Sequence, residues 1–543
     1  MTTKTSRRDF LGKVGKGVFA LGAAHLCRSW AAGTPGKKPN VLTIVVDDLR
    51  TELGCYGAAH IKSPNIDRLA SGGLLFSKAY VQQAICAASR ASFLTGCRPD
   101  TTGVDFPYTK WFRNEFLKSH PDIQTYFHKH GYYTATCGKI HHGHYDPACS
   151  EPHYYTKMPK WMGENYQPDG PKPCVEFLDK PDGTYMDGDL TNMALKWLQK
   201  ASGKKEPFFL AVGYRKPHLP FVCPQKYAGL YKREKIELSP VPQFPENSPA
   251  YSHHGVRHRD KNGNWVLTGK SAIFNKRYTQ NPGGLTADYR RELKHGYYAC
   301  VSFIDAQVGR LMDALKKLGL WDNTIILLWS DHGYHLGDHN WWTKGNNCEF
   351  DTRTPLIIRV PGQKNGGQKT SALIETVDIF PTLLDACGFP VPDYMEGTGF
   401  MPLVEKPRRQ WKKAAFSQYP RGRRGSGGYK EGYTVRTRNY RYTEWRKNNG
   451  KVLAREFYDH IKDPLESKNV IAMKEYRELI GEHKKILDEG WKKALPPGVV
   501  NKSNNPPGDD SEYFIEYLKK KARGGAAHPA DKPLRGKNRD SQA

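Results

Sequence analysis

Three short apolar runs set the strongest limit on what this 543-residue chain can fold into. They are Val41-Leu42-Thr43-Ile44-Val45-Val46, Phe208-Phe209-Leu210-Ala211-Val212 and Ile325-Ile326-Leu327-Leu328-Trp329. A strand with one wet face alternates apolar and polar residues. An uninterrupted run must be covered on both faces, which is the pattern of parallel strands sandwiched between helices. From Tyr297 to Leu318, the residues Val301, Ile304, Val308, Leu311 and Leu315 recur at intervals of three and four, the stripe of an amphipathic helix. Ile379 to Leu384 begins another helix, with Pro381 tolerated in its first turn. Strands alternating with helices predict an α/β fold built on a large mixed, mostly parallel sheet flanked by helices.

A Pro- and Gly-rich stretch near 390–402 reads as a boundary. Beyond it, Tyr433 to Thr437 and Tyr440 to Thr443 flank Arg438-Asn439, as two arms of an antiparallel hairpin would. This predicts a smaller C-terminal antiparallel-sheet subdomain, with residues 473–494 helical. The expected division is a leader over 1–33, a catalytic domain over 37–410, the subdomain over 411–495 and a mobile tail over 496–543. Pro420 to Lys430 reads as a flexible basic loop, either a solvated linker or a grip for an anionic substrate.

Ser6-Arg7-Arg8-Asp9-Phe10-Leu11 places a twin arginine before the short apolar stretch Val18 to Ala24, with small residues at Ala31, Ala32 and Gly33. That is the layout of a twin-arginine export signal, so the chain is expected to be periplasmic or secreted. No apolar run approaches the roughly 20 residues of a membrane span. The net charge is +28, and most of it remains when the two ends are set aside. A basic body favours acidic partners. Export, and the lack of any zinc-finger, RRM or helix-turn-helix signature, argue against nucleic acid and leave an anionic lipid or a polyanionic glycan. The eleven cysteines are scattered without a CxxC pair, so no redox or zinc-ribbon motif is indicated.

The apolar runs end in charged clusters: Asp47-Asp48 after the first, Arg215-Lys216-Pro217-His218 beyond the second, and Ser330-Asp331-His332-Gly333 after the third. Ligands of open α/β sheets gather at the carboxyl ends of strands. Two carboxylate clusters at one sheet edge repel each other unless a cation lies between them, and a hard divalent ion with oxygen ligands removes the conflict. Cys86-Ala87-Ala88-Ser89-Arg90, followed by Leu94-Thr95-Gly96, is the most specific signal in the chain. Arg90 and a helix N-terminus are the means by which such a thiol becomes reactive.

The Cys86 to Arg90 core with its downstream Leu-Thr-Gly resembles the type I, formylglycine-dependent sulfatases of the alkaline phosphatase superfamily. Ala88 stands where the commonest form of the motif has proline. The resemblance spans most of residues 38–470 and is closest to the iduronate-2-sulfatase branch, through Val45 to Arg50, Gly138-Lys139, Gly213 to Phe221, Ser330 to Gly333 and Tyr433 to Thr437. It implies an alkaline phosphatase-like sheet. It implies Cys86 oxidised to formylglycine by a formylglycine-generating or anaerobic sulfatase-maturating enzyme. It also implies a metal held by Asp47, Asp48, Asp331 and His332 together with position 86. Calcium is the metal the resemblance implies, with magnesium as the other hard divalent ion; an imidazole is a less usual partner for either.

The resemblance further implies that one hydroxyl of the aldehyde hydrate attacks sulfur and the other later expels sulfate. Lys344 and His218 grip the sulfate, His218 protonates the leaving oxygen, and Arg90 and Lys139 orient the hydrate. The base that drives elimination is His141 on the commoner family spacing or His142 on that of the iduronate-like branch, and His142 is favoured. His335 and His339 are given at most a supporting role, and Lys216 is read as a solvated lysine. The implied substrate is a sulfated oligo- or polysaccharide, with a 2-O-sulfated uronic acid foremost. The alternative within the superfamily is a phosphodiester or phosphonate monoester hydrolase.

Overall fold

A computed structural model describes residues 37–105, 114–143, 145, 147–156, 174–252, 256–259, 265–267, 286–422, 429–447 and 449–505. The leader expected over 1–33, the basic residues Arg423 and Arg424, and the tail beyond 505 lie outside the described residues.

The main sheet has eight strands: β1 (Asn40–Val46), β2 (Leu74–Tyr80), β3 (Tyr133–Gly138), β4 (Phe208–Tyr214), β5 (Thr324–Ser330), β6 (Arg353–Arg359), β7 (Gln368–Thr370) and β8 (Ile374–Glu375). Their order is β7-β2-β6-β5-β1-β4-β3, with β8 also pairing β2. β6 runs antiparallel to both its neighbours and the remaining pairings are parallel. The sheet is thus mixed and mostly parallel. The three apolar runs are adjacent in it, with β1 central between β4 and β5.

Alternate residues of each run enter different cores. Leu42, Ile44, Val46, Leu210, Val212, Ile326 and Leu328 share one face with helices α4 (Met186–Ser202) and α5 (Ala287–Lys317). Val41, Val45, Phe209, Ala211, Ile325, Leu327 and Trp329 share the other with α2 (Cys86–Thr95) and α6 (Ile379–Ala386). Helix α1 (Pro64–Gly72) adds Ile66 and Leu69 to the first core, and α3 (Ile123–Lys129) adds Ile123 and Phe127 to the second. Period-two side-chain direction makes an unbroken apolar run necessary here, because both faces are dry. No helix among the described residues is long and apolar enough to cross a membrane.

The C-terminal sheet is a four-stranded antiparallel meander: β9 (Ala415–Arg421), β10 (Lys430–Arg436), β11 (Tyr440–Lys447) and β12 (Val452–Asp459), covered by α7 (Arg477–Glu489). It docks on the segment leading into Cys86: Gln418 N donates to Gln82 O at 2.7 Å and Ser417 Oγ to Val81 O at 2.6 Å. The joint is a buried charge network. Arg98 grips Glu375 with two bonds of 2.8 Å, and Lys412 Nζ reaches Glu375 at 2.8 Å and Asp378 at 2.7 Å. Pro420 and Arg421 end β9 rather than opening a loop, and Arg421 Nε is held by Tyr251 O at 2.8 Å. At the far end, Asn501 and Asn505 Nδ2 donate to the carbonyls of Met395 and Tyr394, so the chain stays against the body for at least ten residues past Leu495.

Candidate active site

Because β1, β2, β3, β4 and β5 are mutually parallel, their carboxyl ends lie on one edge. Asp47-Asp48 follow β1, Lys139 follows β3, Arg215 to His218 follow β4, Asp331-His332 follow β5, and Cys86 lies six residues beyond the end of β2. Asp48 has φ +63, a left-handed conformation that costs an aspartate roughly 1–3 kcal/mol and is met mainly at functional positions. The turn is held by Tyr297, whose hydroxyl donates to Asp48 O at 2.7 Å, by Asp48 N donating to Asp331 Oδ1 at 3.2 Å, and by Leu49 N donating to Ser330 Oγ at 3.0 Å. The strain is therefore opposed by several bonds to neighbouring strands and α5.

Cys86 opens α2, a helix buried along its whole length. Small residues (Ala87, Ala88, Ser89, Ala91, Ser92) allow that burial. Cys86 Sγ lies 3.2 Å from His332 Nε2 and 3.4 Å from Asp47 Oδ1. A helix N-terminus carries partial positive charge and favours an anion at this position. Arg90, one turn later, donates through Nε to Asp331 Oδ2 at 3.0 Å and through NH1 to the carbonyls of Lys139 and Ile140. It therefore ties the ends of β5 and β3 to the helix that bears the cysteine.

Lys139 Nζ pairs with Asp47 Oδ2 and Lys344 Nζ with Asp48 Oδ1. Lys139 reaches the cluster because β3 and β4 close tightly just before it. Gly138 has φ +75, and a Cβ there would sit 2.1 Å from Gly213 O. His218 falls within 4.8 Å of Asp47 and Asp48 and donates Nδ1–H to Leu219 O at 2.7 Å. The two histidines after Lys139 separate. His141 is turned into the protein, with Nε2 2.8 Å from Asp122 Oδ2, the residue that caps α3. His142 is surrounded electrically by Lys139, Arg90, Asp47 and Arg215, all groups at the sheet edge. Burial and those cations hold it down to about 3, so it is a neutral base at ordinary pH. Lys216 is not a solvated lysine: it is buried, with Nζ on the carbonyls of His218 and Pro220, where it fixes the loop that presents His218.

The charges of the cluster are unevenly compensated. Burial opposes charge on Asp47, but Lys139, His218, Lys344 and Arg90 outweigh it and hold the carboxyl well below its usual range. Burial, with Asp47 and Asp331 beside it, pushes Asp48 up in spite of Lys344. Burial opposes charge on His332, yet Asp331 and Cys86 raise it to about 9. Its Nδ1–H donates to Gly333 O at 3.0 Å, which aims Nε2 at Cys86 and Asp48. Asp47, Cys86, Asp331 and His332 offer ligand atoms all within 4.8 Å of one another, as do Asp47, Asp48 and His218. Three buried carboxylates, one of them under-compensated, fit a hard divalent cation. When bound, such an ion supplies charge neutralisation and Lewis acidity.

Sequence reading overlooked several contributors. Tyr297 and Ser330 shape the Asp48 turn, and Ser89 Oγ donates to Asp331 O. Tyr419 of β9 feels both Lys344 and Cys86, and Arg421 packs over its ring at 4.7 Å. Ser89 and Ser330 lie inside the motifs at 86–90 and 330–333, whereas Tyr297, Tyr419 and Arg421 lie on elements far from them in sequence. Only the polar side chains within otherwise apolar runs, such as Ser330 closing β5, could have signalled them. His335 and His339 share the loop with Lys344 but bond elsewhere, to Asp338 O and Leu465 O.

The chain belongs to the sulfatase family, whose profile matches residues 39–389, and it is a sulfuric ester hydrolase. A second match, to the N-sulphoglucosamine sulphohydrolase C-terminal family, covers residues 337–493. It is 33% identical to iduronate 2-sulfatase of Homo sapiens over 84% of this chain and 96% of that protein. It is 27% identical to N-acetylglucosamine-6-O-sulfatase of Bacteroides thetaiotaomicron over 88% and 89%. Among solved structures, one of a protein bound to its substrate D-glucosamine-2-N,6-O-disulfate has a TM-score of 0.67 at 24% identity, covering 83% of this chain and 97% of that one. Phosphonate monoester hydrolase of Agrobacterium radiobacter has a TM-score of 0.68 at 22% identity, covering 83% and 95%. These last two likenesses concern the fold alone.

Proposed function

We propose that this protein is an exported sulfatase that removes sulfate ester groups from a sulfated glycan, with 2-O-sulfated uronic acid as its foremost substrate. Position 86 works as formylglycine, installed by a formylglycine-generating or anaerobic sulfatase-maturating enzyme, and Asp47, Asp48, Asp331 and His332 hold calcium. The observation that carries the reading is the convergence of Cys86 with these four residues, inside a ring formed by Arg90, Lys139, His218 and Lys344. The likeness to iduronate 2-sulfatase supports the choice of sugar, the basic body supports a polyanionic glycan, and the twin-arginine leader supports export.

As an aldehyde hydrate, formylglycine supplies an oxygen nucleophile where the thiol now stands, at the N-terminus of α2. The chain's own groups prepare the rest. Lys139 and Lys344 provide two ammonium groups on either side of the aspartates for the sulfonyl oxygens, whose charge must be spread in the transition state. Arg90 fixes the Cys86 backbone relative to Asp331 and so limits where an attacking atom can sit. His218, with Nδ1–H committed to Leu219 O, has Nε2 for the leaving oxygen. Burial and the nearby Lys344 hold its ring well below the usual imidazole range. A sulfate ester bound among the same cations offsets them and restores the proton that the leaving group needs. His142 stays unprotonated and is the base for the proton that must leave when sulfate is expelled.

The test is sulfate release from a panel of sulfated mono- and oligosaccharides, by matured wild-type protein and by Cys86→Ala. Release confined to the wild type and greatest on 2-O-sulfated uronic acids is the expected outcome. Equal release by both proteins, or faster turnover of a matched aryl phosphonate than of the aryl sulfate, overturns it.

A further inference from the structure

A second group of metal-ligating side chains lies on the loop between Asp331 and the helix at Glu349–Thr352, apart from the carboxylate cluster. A ring nitrogen of His335, one of His339 and Cys348 Sγ lie within 4.8 Å of one another. All three residues are buried, and all line one cavity of about 20 Å³. That is room for one water-sized particle.

The hydrogen bonds fix the tautomers. His335 Nδ1 donates to Asp338 O at 2.9 Å, which leaves Nε2 as its basic nitrogen, 3.2 Å from Cys348 Sγ. His339 Nε2 donates to Leu465 O at 2.8 Å, which leaves Nδ1 basic. An imidazole anchored through one N–H to a backbone carbonyl keeps its other nitrogen for a metal, the outer-shell arrangement of a metal-bound histidine. The 3.2 Å spacing is that of a thiol–imidazole hydrogen bond, and a shift of about 0.3 Å brings it to the edge of a tetrahedron with bonds of about 2.0 Å to nitrogen and 2.3 Å to sulfur. Beside the group stands Asp351, fully buried, with Oδ1 in ion-pair contact with His335 Nε2 at 3.3 Å. A buried carboxylate calls for positive charge nearby, which a protonated His335 supplies and which a cation bound to that nitrogen would supply in its place.

We propose that His335, His339 and Cys348 form a zinc site, with the fourth position facing the cavity and taken by water. Two imidazoles and a thiolate select a borderline-soft ion, in contrast to the oxygen-rich cluster at Asp47 and Asp48. Zinc displaces the thiol proton of Cys348, and the thiolate together with the Asp351 carboxylate balances its two charges. The ion staples the loop that carries Asp331, His332 and Lys344 to the start of the helix at Glu349, and so sets the position of Lys344 without touching substrate.

The experiment uses the full chain carrying Cys86→Ser, so that no thiol remains in the carboxylate cluster. The protein is stripped with a chelator and titrated with Zn2+ alone and then with Co2+ alone. The expected results are about one tightly held zinc per chain, a thiolate-to-cobalt charge-transfer band and a rise in melting temperature on zinc addition. Adding Cys348→Ser should abolish the band and weaken zinc by more than the roughly 10–100-fold that loss of an outer-shell partner costs. Zinc-edge X-ray absorption on the protein with an intact loop needs no substitution at the site, and should report one sulfur and two imidazoles. A shell of oxygen and nitrogen only, a cobalt spectrum without the thiolate band, or zinc uptake undiminished by Cys348→Ser overturns the proposal. So does a melting temperature indifferent to zinc, which would leave the three groups a hydrogen-bonded trio around Asp351.

Discussion

The two neighbouring histidines after Lys139 should fail in opposite ways when each is replaced by alanine. His142 faces Lys139, Arg90 and Asp47, and with its proton affinity held down to about 3 it is fully in the base form from pH 5 to 8. Losing a positioned general base costs roughly 10²–10⁴ in rate, or about 2.7–5.4 kcal/mol of barrier. His142→Ala should therefore lower kcat by that factor with a small change in KM and a melting temperature near that of wild type. His141 sits in the interior, 2.8 Å from Asp122, whose other oxygen caps α3 through Thr125 N at 2.8 Å. His141→Ala leaves a buried carboxylate short of a partner, a loss of about 1–3 kcal/mol in stability, while kcat stays within about threefold of wild type, since less than 0.7 kcal/mol of barrier is touched. Initial-rate sulfate release and thermal melts on the same preparations separate the two effects. A fall of 100-fold or more in kcat for His141→Ala at unchanged melting temperature, with His142→Ala still active, would refute the assignment.

Three other outcomes follow from the same geometry. Lys412→Met removes the cation shared by Glu375 and Asp378 in the joint between the sheets, and should cost about 3–5 kcal/mol, read as a lower denaturant midpoint. Burial opposes charge on Glu52, but Arg50 and His60 hold it down to about 2, below its ordinary 4.5. Its folded proton affinity is depressed, so its contribution is present above pH 4.5 and lost as pH falls through about 2. The melting temperatures of Glu52→Gln and wild type should differ at pH 7, draw together below pH 4.5 and converge only at about pH 2. Treatment with a strong chelator should abolish sulfate release reversibly, with calcium restoring more activity than magnesium, while the circular dichroism of the main sheet is retained. Activity that survives exhaustive chelation would count against the cation at Asp47, Asp48 and Asp331.

Much of the framework was legible because two-sided burial leaves a strong trace. The runs at Val41, Phe208 and Ile325 had to be interior parallel strands, and the clusters at their ends then had to meet at one edge. The hairpin around Arg438-Asn439 was equally clear from its turn residues. The identity of β6 as the antiparallel member was not, because Arg353 to Arg359 looks like any other buried strand and its direction depends on the chain's path. The site was legible where its chemistry is local, as at Cys86 to Arg90. It was opaque where one residue serves by reaching across space. Tyr297 is one more aromatic in an amphipathic helix until its hydroxyl is seen on Asp48 O. The two histidines at 141 and 142 differ only in which way the chain turns after Gly138. Lys216 looked solvated because a lone lysine usually is, yet two carbonyls and a dry loop take it inside. Arg421 was lost in a Gly- and Arg-rich stretch that reads as a loop, although β9 reaches as far as Arg421 itself.

The account rests on position 86 being an aldehyde-bearing nucleophile beside the carboxylates. Mass spectrometry of the peptide that contains residue 86, taken from protein fractions of graded specific activity, tests it most directly. The fraction of that peptide carrying a carbonyl in place of the thiol should rise in proportion to sulfatase activity and approach completeness in the most active fraction. Full activity in protein whose residue 86 is entirely unmodified cysteine would contradict it.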